Sequence, residues 1–213
     1  MLDSARIAEL LQPFLGDAPF PPQLPAQLGT YLDLLLRWNA RINLTAVRDP
    51  EQIVARHFGE SLFAARVLRE AGDLDGTPTV SDIGSGAGFP GLPLKLFAPT
   101  VCLTLIESHQ KKATFLREVV RSLQLADTEV FCGRAEAWGG SAGVVTLRAV
   151  EKFESVLPIA ASLVAPRGTL CLLIGEAQAA PAARVLGSDW EMTAGHTIPG
   201  SSGRVVSLAR AHS

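Results

Sequence analysis

The chain has 213 residues, 47% of them hydrophobic and 19% charged, with a formal net charge of −2 and a pI near 6.1. Such a length fits one well-filled domain with an appendage, and the acidic balance excludes a general attraction for nucleic acid, so any polyanion must be met by a local patch. No uninterrupted apolar run approaches twenty residues, and "MLDSARIAELL" lacks a basic segment followed by an apolar core; both argue against a membrane span or export signal and for the cytoplasm.

In chain order, a short helix is expected over Arg6 to Leu11, separated by "PFLGDAPFPPQLP" from a longer one. From Pro25, Leu28, Tyr31, Leu32, Leu35 and Trp38 recur at helical spacing until Asn39 to Thr45 breaks the pattern. A third helix is expected from Glu51, with Ile53, Val54, His57, Phe58, Leu62 and Val67 toward one side. Residues 1–75 therefore read as a helical extension and residues 76–213 as a second unit.

That second unit alternates short apolar runs, "TVSDI", "VCLTLI", "TEVFC", "VVTLR" and "TLCLLI", with helix-like segments, the clearest from His109 to Gln124. Strand followed by helix, repeated, predicts an α/β fold with a doubly wound, mostly parallel sheet. The last two runs, "WEMTAGHTI" and "VVSLAR", are joined by "PGSSG" with no room for a helix, which predicts an antiparallel edge hairpin. Cys102, Cys132 and Cys171 sit in apolar runs and read as reduced core residues. The histidines, His57, His109, His196 and His212, are scattered, so no metal site is expected.

The densest signal is "VSDIGSGAGFPG", Val80 to Gly91, where a strand ends on Asp82 and four glycines follow. Glycines in that number suit φ > 0 and close approach of a ligand to the backbone. In a doubly wound sheet the first strand-to-helix turn faces the ligand. Gly86 to Gly91 matches GxGxxG, a weak signal alone; the fuller pattern is D-x-G-x-G-x-G. An acid beside a pyrophosphate would add charge to charge, whereas Asp82 suits a ligand with a cationic amino group. Glu107 ends the next strand, twenty-three residues after Gly84, where a carboxylate can accept both ribose hydroxyls. The set Asp82, Gly84, Ser85, Gly86, Gly88, Phe89 and Glu107 thus favours S-adenosylmethionine over NAD; helix capping by the two acids is the plainer alternative. The loop "GRAEAW" after the third strand offers Glu136, or else Asp127, as an acceptor for adenine.

These stretches resemble the bacterial 16S ribosomal RNA guanine-N7 methyltransferase family (RsmG/GidB), through "RWNARINLTAV", "ARHFGESL", "DIGSGAGFPGLPLKL", "LIESHQKKATFLREV", "GRAE" and "RAV" in the family's order. The resemblance implies a methyltransferase-type sheet with a helical N-terminal extension, S-adenosylmethionine as methyl donor and small-subunit ribosomal RNA as acceptor and partner. By position, it implies that Gly84 and Phe89 line the cofactor, Glu107 the ribose, and Ala135 and Glu136 the adenine. Arg148 would stand near the methionine carboxylate or the incoming base. Asn39, Asn43, Thr45 and His57 would shape the substrate side, with helix capping and interdomain hydrogen bonding as the structural alternative. The chain departs from the family at Glu60, where aspartate is usual, at Gly143, where an acid is usual, and at Ile174, in place of a lysine that would meet RNA; Lys152 or Arg148 is the candidate stand-in.

Guanine N7 carries a lone pair and no proton, so its attack on a sulfonium methyl requires alignment and no general base. No catalytic dyad is expected, and Arg148 is the candidate clamp for base or phosphate. A monomer without metal or membrane attachment is expected. The competing readings are a methyltransferase of the same fold acting on a small molecule or protein, and a non-catalytic RNA-binding assembly factor.

Overall fold

The computed structural model describes residues 2–150 and 152–212. Its first helix, α1 (Ser4–Leu15), is longer than its apolar spacing suggests because the Asp3 carboxylate caps it, accepting from the Arg6 amide at 2.7 Å. Helix α2 (Leu24–Ile42) has Pro25 in its first turn and stops at Asn43, whose φ of 48° is left-handed. A third helical rod begins with α3 (Pro50–Ile53), capped by Asp49, widens into a π-helical turn (Val54–Gly59) and continues as α4 (Glu60–Glu70). The Ser61 hydroxyl donates to the His57 carbonyl at 2.6 Å at that turn. Such π turns are frequent at functional positions.

The sheet follows: β1 (Thr79–Ile83), α5 (Gly91–Phe97), β2 (Cys102–Glu107), α6 (Gln110–Ser122), β3 (Thr128–Cys132), β4 (Ala142–Arg148), α7 (Phe153–Ser162), β5 (Val164–Gly175), α8 (Ala179–Leu186), β6 (Trp190–Met192), β7 (His196–Thr197) and β8 (Arg204–Ala211). Strand order is β3-β2-β1-β4-β5-β8-β6, with β7 beside β8. The first five strands are parallel and the order reverses between β1 and β4, the point where such sheets open a crevice at the strands' carboxyl ends.

Between β3 and β4 the glycine-rich connection forms only a 3-10 turn (Ala135–Ala137) in place of a crossover α-helix. The expected edge hairpin is present: β8 runs antiparallel to β5 and carries both β6 and β7 along its other side. Its outer arm is broken at Thr193, whose hydroxyl accepts the Leu208 amide at 3.0 Å in place of a backbone partner.

One apolar cluster joins α1, α2 and the π-helical turn to α5, α6 and one sheet face, through residues such as Leu11, Tyr31, Phe58, Leu92 and Phe115. The other face packs on α7 and α8 through Leu147, Leu157, Leu172 and Ala182. Cys171 lies in this buried sheet, but Cys102 and Cys132 are exposed, which corrects their reading as core residues. Cys132 ends the edge strand β3 and Cys102 begins β2, so neither is flanked on both sides by the sheet's interior.

Candidate functional site

The strand β1 ends in the glycine loop. The Gly84 and Ser85 amides donate to the Ile106 carbonyl of β2 at 2.9 and 3.1 Å, which ties the loop to the neighbouring strand. Gly84, Gly86 and Gly88 have φ of 66°, 57° and 95°, a region that side chains with a Cβ rarely adopt. At Gly88 a Cβ would strike the Tyr31 hydroxyl and Leu92, so this glycine makes room for the helical section rather than for a ligand.

Both predicted acids hold the loop. Glu107 Oε2 accepts the Gly86 amide at 2.8 Å, and Oε1 accepts the His109 amide at 2.6 Å. A carboxylate offers roughly four acceptor sites, so Glu107 retains capacity for hydroxyl donors. Asp82 is fully buried: Oδ1 accepts from the Thr146 hydroxyl at 2.7 Å and Oδ2 from the Gly91 amide at 3.3 Å. Burial raises its carboxyl to about 6 against those hydrogen bonds. Asp82 braces the loop from behind.

The Gly133 amide donates to the Glu107 carbonyl at 3.1 Å, which sets the turn carrying Ala135 and Glu136 against the end of β2. Asp127 is misplaced as an adenine acceptor: it precedes β3, and its carbonyl accepts the Leu103 amide at the amino end of the sheet. The strand itself separates it from Glu136. Gly143 is likewise remote, its amide bonded to the Thr79 hydroxyl at 2.9 Å near the amino ends of β1 and β4.

A cavity of about 550 Å³ opens beside the loop, within the roughly 300–1,000 Å³ of small-molecule sites. It brings together Gly84, Ser85, Gly86 and Phe89 from the loop, Thr45 and His57 from the helical section, and Arg148 from β4. His57 stacks on Phe89 with ring centroids 4.9 Å apart, and its Nε2 meets the Thr45 hydroxyl at 2.7 Å. Burial, aided by Arg148, Arg56 and Arg204, lowers His57 to about 3, so the ring is neutral.

Asn39 stands one layer back. Its amide donates to the Thr45 carbonyl at 3.0 Å and accepts the Thr45 amide at 2.9 Å, shaping the loop that presents Thr45. Asn43 accepts Arg48 Nη2 at 3.2 Å on the surface. Lys152 is exposed at the start of α7 with φ 54°, outside the residues lining the cavity.

Arg148 lines the cavity with its guanidinium engaged. Nη1 donates to the His57 carbonyl at 3.2 Å and the Ser61 hydroxyl at 3.1 Å; Nη2 donates to the Arg56 carbonyl and Glu60 Oε2, both at 2.8 Å. Glu60, only 4% exposed, also forms an ion pair through Oε1 with Arg204 Nη2 at 2.7 Å. Burial raises the Glu60 carboxyl, and Arg148, Arg204 and Arg56 oppose that rise. Sequence reasoning missed Arg204 and Tyr31 as parts of the site, because their proximity depends on long-range packing.

The arrangement sets the backbone of the glycine loop beside a wall of cations, with the Glu107 carboxylate holding the loop from outside the residues that line the cavity. That set suits a nucleoside with an amino-acid tail, and an anionic second ligand.

Residues 25–192 match the family described as rRNA small subunit methyltransferase G, GidB. The chain is 38% identical over 174 residues to ribosomal RNA small subunit methyltransferase G of Xanthomonas campestris pv. campestris (strain B100), covering 81% of this chain and 77% of that one. It is 43% identical over 169 residues to the protein of the same name from Halorhodospira halophila, covering 78% of each. Among solved structures, TrmN from Thermus thermophilus superposes with a TM-score of 0.61 at 17% identity, covering 75% of this chain and 53% of that one. TYW2 from P. horikoshii, in complex with MeSAdo, gives 0.56 at 15% identity, covering 72% and 61%. At these identities the two structures bear on the fold.

Proposed function

The chain belongs to the rRNA small subunit methyltransferase G family, and from that premise we propose that it transfers a methyl group from S-adenosylmethionine to N7 of a guanine in 16S ribosomal RNA. The observation that carries the reading is the shared cavity, in which the Gly84–Phe89 loop faces a wall of Arg56, Arg148 and Arg204. The residues fit the cofactor. The backbone of Gly84 and Gly86 lines the cavity, Glu107, which holds the Gly86 amide, has acceptor capacity left for ribose hydroxyls, and the Ala135–Glu136 turn adjoins it for adenine. S-adenosylmethionine supplies, when bound, an electrophilic methyl on a sulfonium.

The protein's own work is then positioning. The nucleophilic nitrogen carries no proton, so no residue has to remove one, and a neutral His57 stacked on Phe89 suits a wall more than a base. We read residues 1–75 as the substrate-side section and 76–213 as the methyl-transfer domain of a cytoplasmic, metal-independent monomer. A guanine stacked in a helix cannot reach a methyl group beside Gly84, so the base must be presented unstacked.

The test is to map 7-methylguanosine in 16S ribosomal RNA from cells with and without the gene. It should be paired with methyl transfer by purified protein to small subunits that lack the mark. Loss of one modified guanine and its restoration in vitro is the expected result; an unchanged map overturns the reading.

A further inference from the structure

We propose that Arg204 is a phosphate contact for the RNA substrate, held in place by Glu60; the proposal rests on the methyl-transfer reading above. The charge around the cavity is opposite to that of the whole chain. Its lining holds Arg56, Lys112, Arg148 and Arg204 against the single carboxylate of Glu60, while the chain as a whole carries −2. His57 adds no charge at neutral pH. A local cationic wall in an acidic chain is the form that polyanion recognition must take here.

The four cations are not equivalent. Arg148 has its terminal nitrogens on two carbonyls, a hydroxyl and Glu60, and its side chain is 12% exposed. It is part of the wall's framework. Arg204 makes one ion pair, at 2.7 Å to Glu60 Oε1, and its side chain is 34% exposed. Its Nε is buried without an acceptor among the described residues, so what the side chain can offer a ligand is its outer edge, at Nη1 and the remaining hydrogen of Nη2. A guanidinium has five donors in a fork that matches phosphate oxygens in pairs, so Arg204 keeps donors that Arg148 has already committed.

Its position is set by the sheet. Arg204 opens β8 opposite Gly175, the last residue of β5, so it stands at the carboxyl end of the parallel strand where the cavity opens. The neighbouring β5 residue on the same cavity is Ile174, which brings no charge. Glu60 fixes Arg204 and Arg148 with one carboxylate, each on its own oxygen. This shared anchor orders the guanidinium before the substrate arrives, which lowers the entropic cost of binding.

An anion at Arg204 has two sources, a phosphate of the RNA or the carboxylate of the cofactor's methionine, and the experiment separates them. Arg204→Gln and Arg204→Lys are compared with the wild type by S-adenosylmethionine calorimetry and by KM and kcat on unmethylated small subunits at several salt concentrations. Melting curves serve as the folding control. Arg204→Gln is expected to leave cofactor affinity within about twofold, raise KM about tenfold, and reduce the salt slope by about one phosphate. Arg204→Lys is expected to keep the wild-type slope and raise KM several-fold, since charge stays and the fork is lost. Should Arg204→Gln not fold, the lysine variant decides by the same measures.

A wild-type KM and slope in an active Arg204→Gln enzyme overturn the proposal alone, as does a loss of cofactor affinity matching the loss of activity. A wild-type protein that cannot methylate the subunits overturns the functional reading and this proposal with it.

Discussion

The hydroxyl of Tyr31, in the middle of α2, donates to the carbonyl of Ala87 in the glycine loop. The ring lies among Phe58, Phe89 and Phe115, with centroids 5.1 to 6.3 Å away, and is fully buried. The helical section thus supports the loop as well as standing opposite it. Tyr31→Phe keeps the packing and leaves a buried carbonyl unpaired, at about 1–3 kcal/mol. Stability should fall by that order in urea unfolding, and S-adenosylmethionine affinity by about fivefold in calorimetry. Unchanged cofactor affinity would separate α2 from the loop.

Glu107 and Gly86 form the second relationship that can be cut. Glu107→Ala removes the acceptor of the Gly86 amide and the proposed ribose contact together. Cofactor binding should weaken by about 1–3 kcal/mol. Gly86→Val meets little steric obstruction, the Gly84 carbonyl being 3.7 Å from the added Cβ, but must hold φ 57° with a branched side chain. Calorimetry should find no cofactor binding, and circular dichroism a retained sheet. Normal binding by either variant removes that residue from the cofactor site.

Arg148→Ala takes one of two cations from a buried carboxylate and empties the donors of the Arg56 and His57 carbonyls. Breaking such buried pairs typically costs about 3–5 kcal/mol, and the retained Arg204 pair should keep the loss near 3 kcal/mol by denaturant unfolding. A variant of wild-type stability that has lost methyl transfer would instead place Arg148 on the substrate.

Acid should weaken the fold through His57. Its folded value of about 3 lies below the ordinary 6.5, so between those pH values the unfolded chain binds more protons and stability falls as pH falls. Asp82 acts oppositely: with a folded value of about 6 against 3.8, its contribution falls as pH rises through that window. The difference between wild type and His57→Gln isolates the histidine. The variant should gain about 3 kcal/mol on the wild type between pH 7 and pH 4. Parallel unfolding curves would show a histidine that titrates normally.

What the amino-acid order determined by itself is local in origin. Glycines at 84, 86 and 88 announced a turn because only glycine adopts φ > 0 freely, and each does so. The alternation of apolar runs and helices dictated a parallel sheet, and five joining residues with no room for a helix dictated the antiparallel edge. Glu107 was legible because a strand end is a fixed place relative to the loop beside it. Tertiary structure alone decided which face of the sheet the front helices cover, and hence that Tyr31 reaches Ala87 across fifty-six positions. It also placed Asp127 at the far end of β3 from Glu136, exposed two cysteines, and turned both predicted acids into supports of the loop. Arg204 was invisible in order because its role comes from register: the antiparallel pairing of β8 with β5 carries it to the cavity, where Glu60 holds it beside Arg148. Backbone preference acts over a few residues and can be read in order, whereas register and helix packing are settled only when distant apolar faces are buried together.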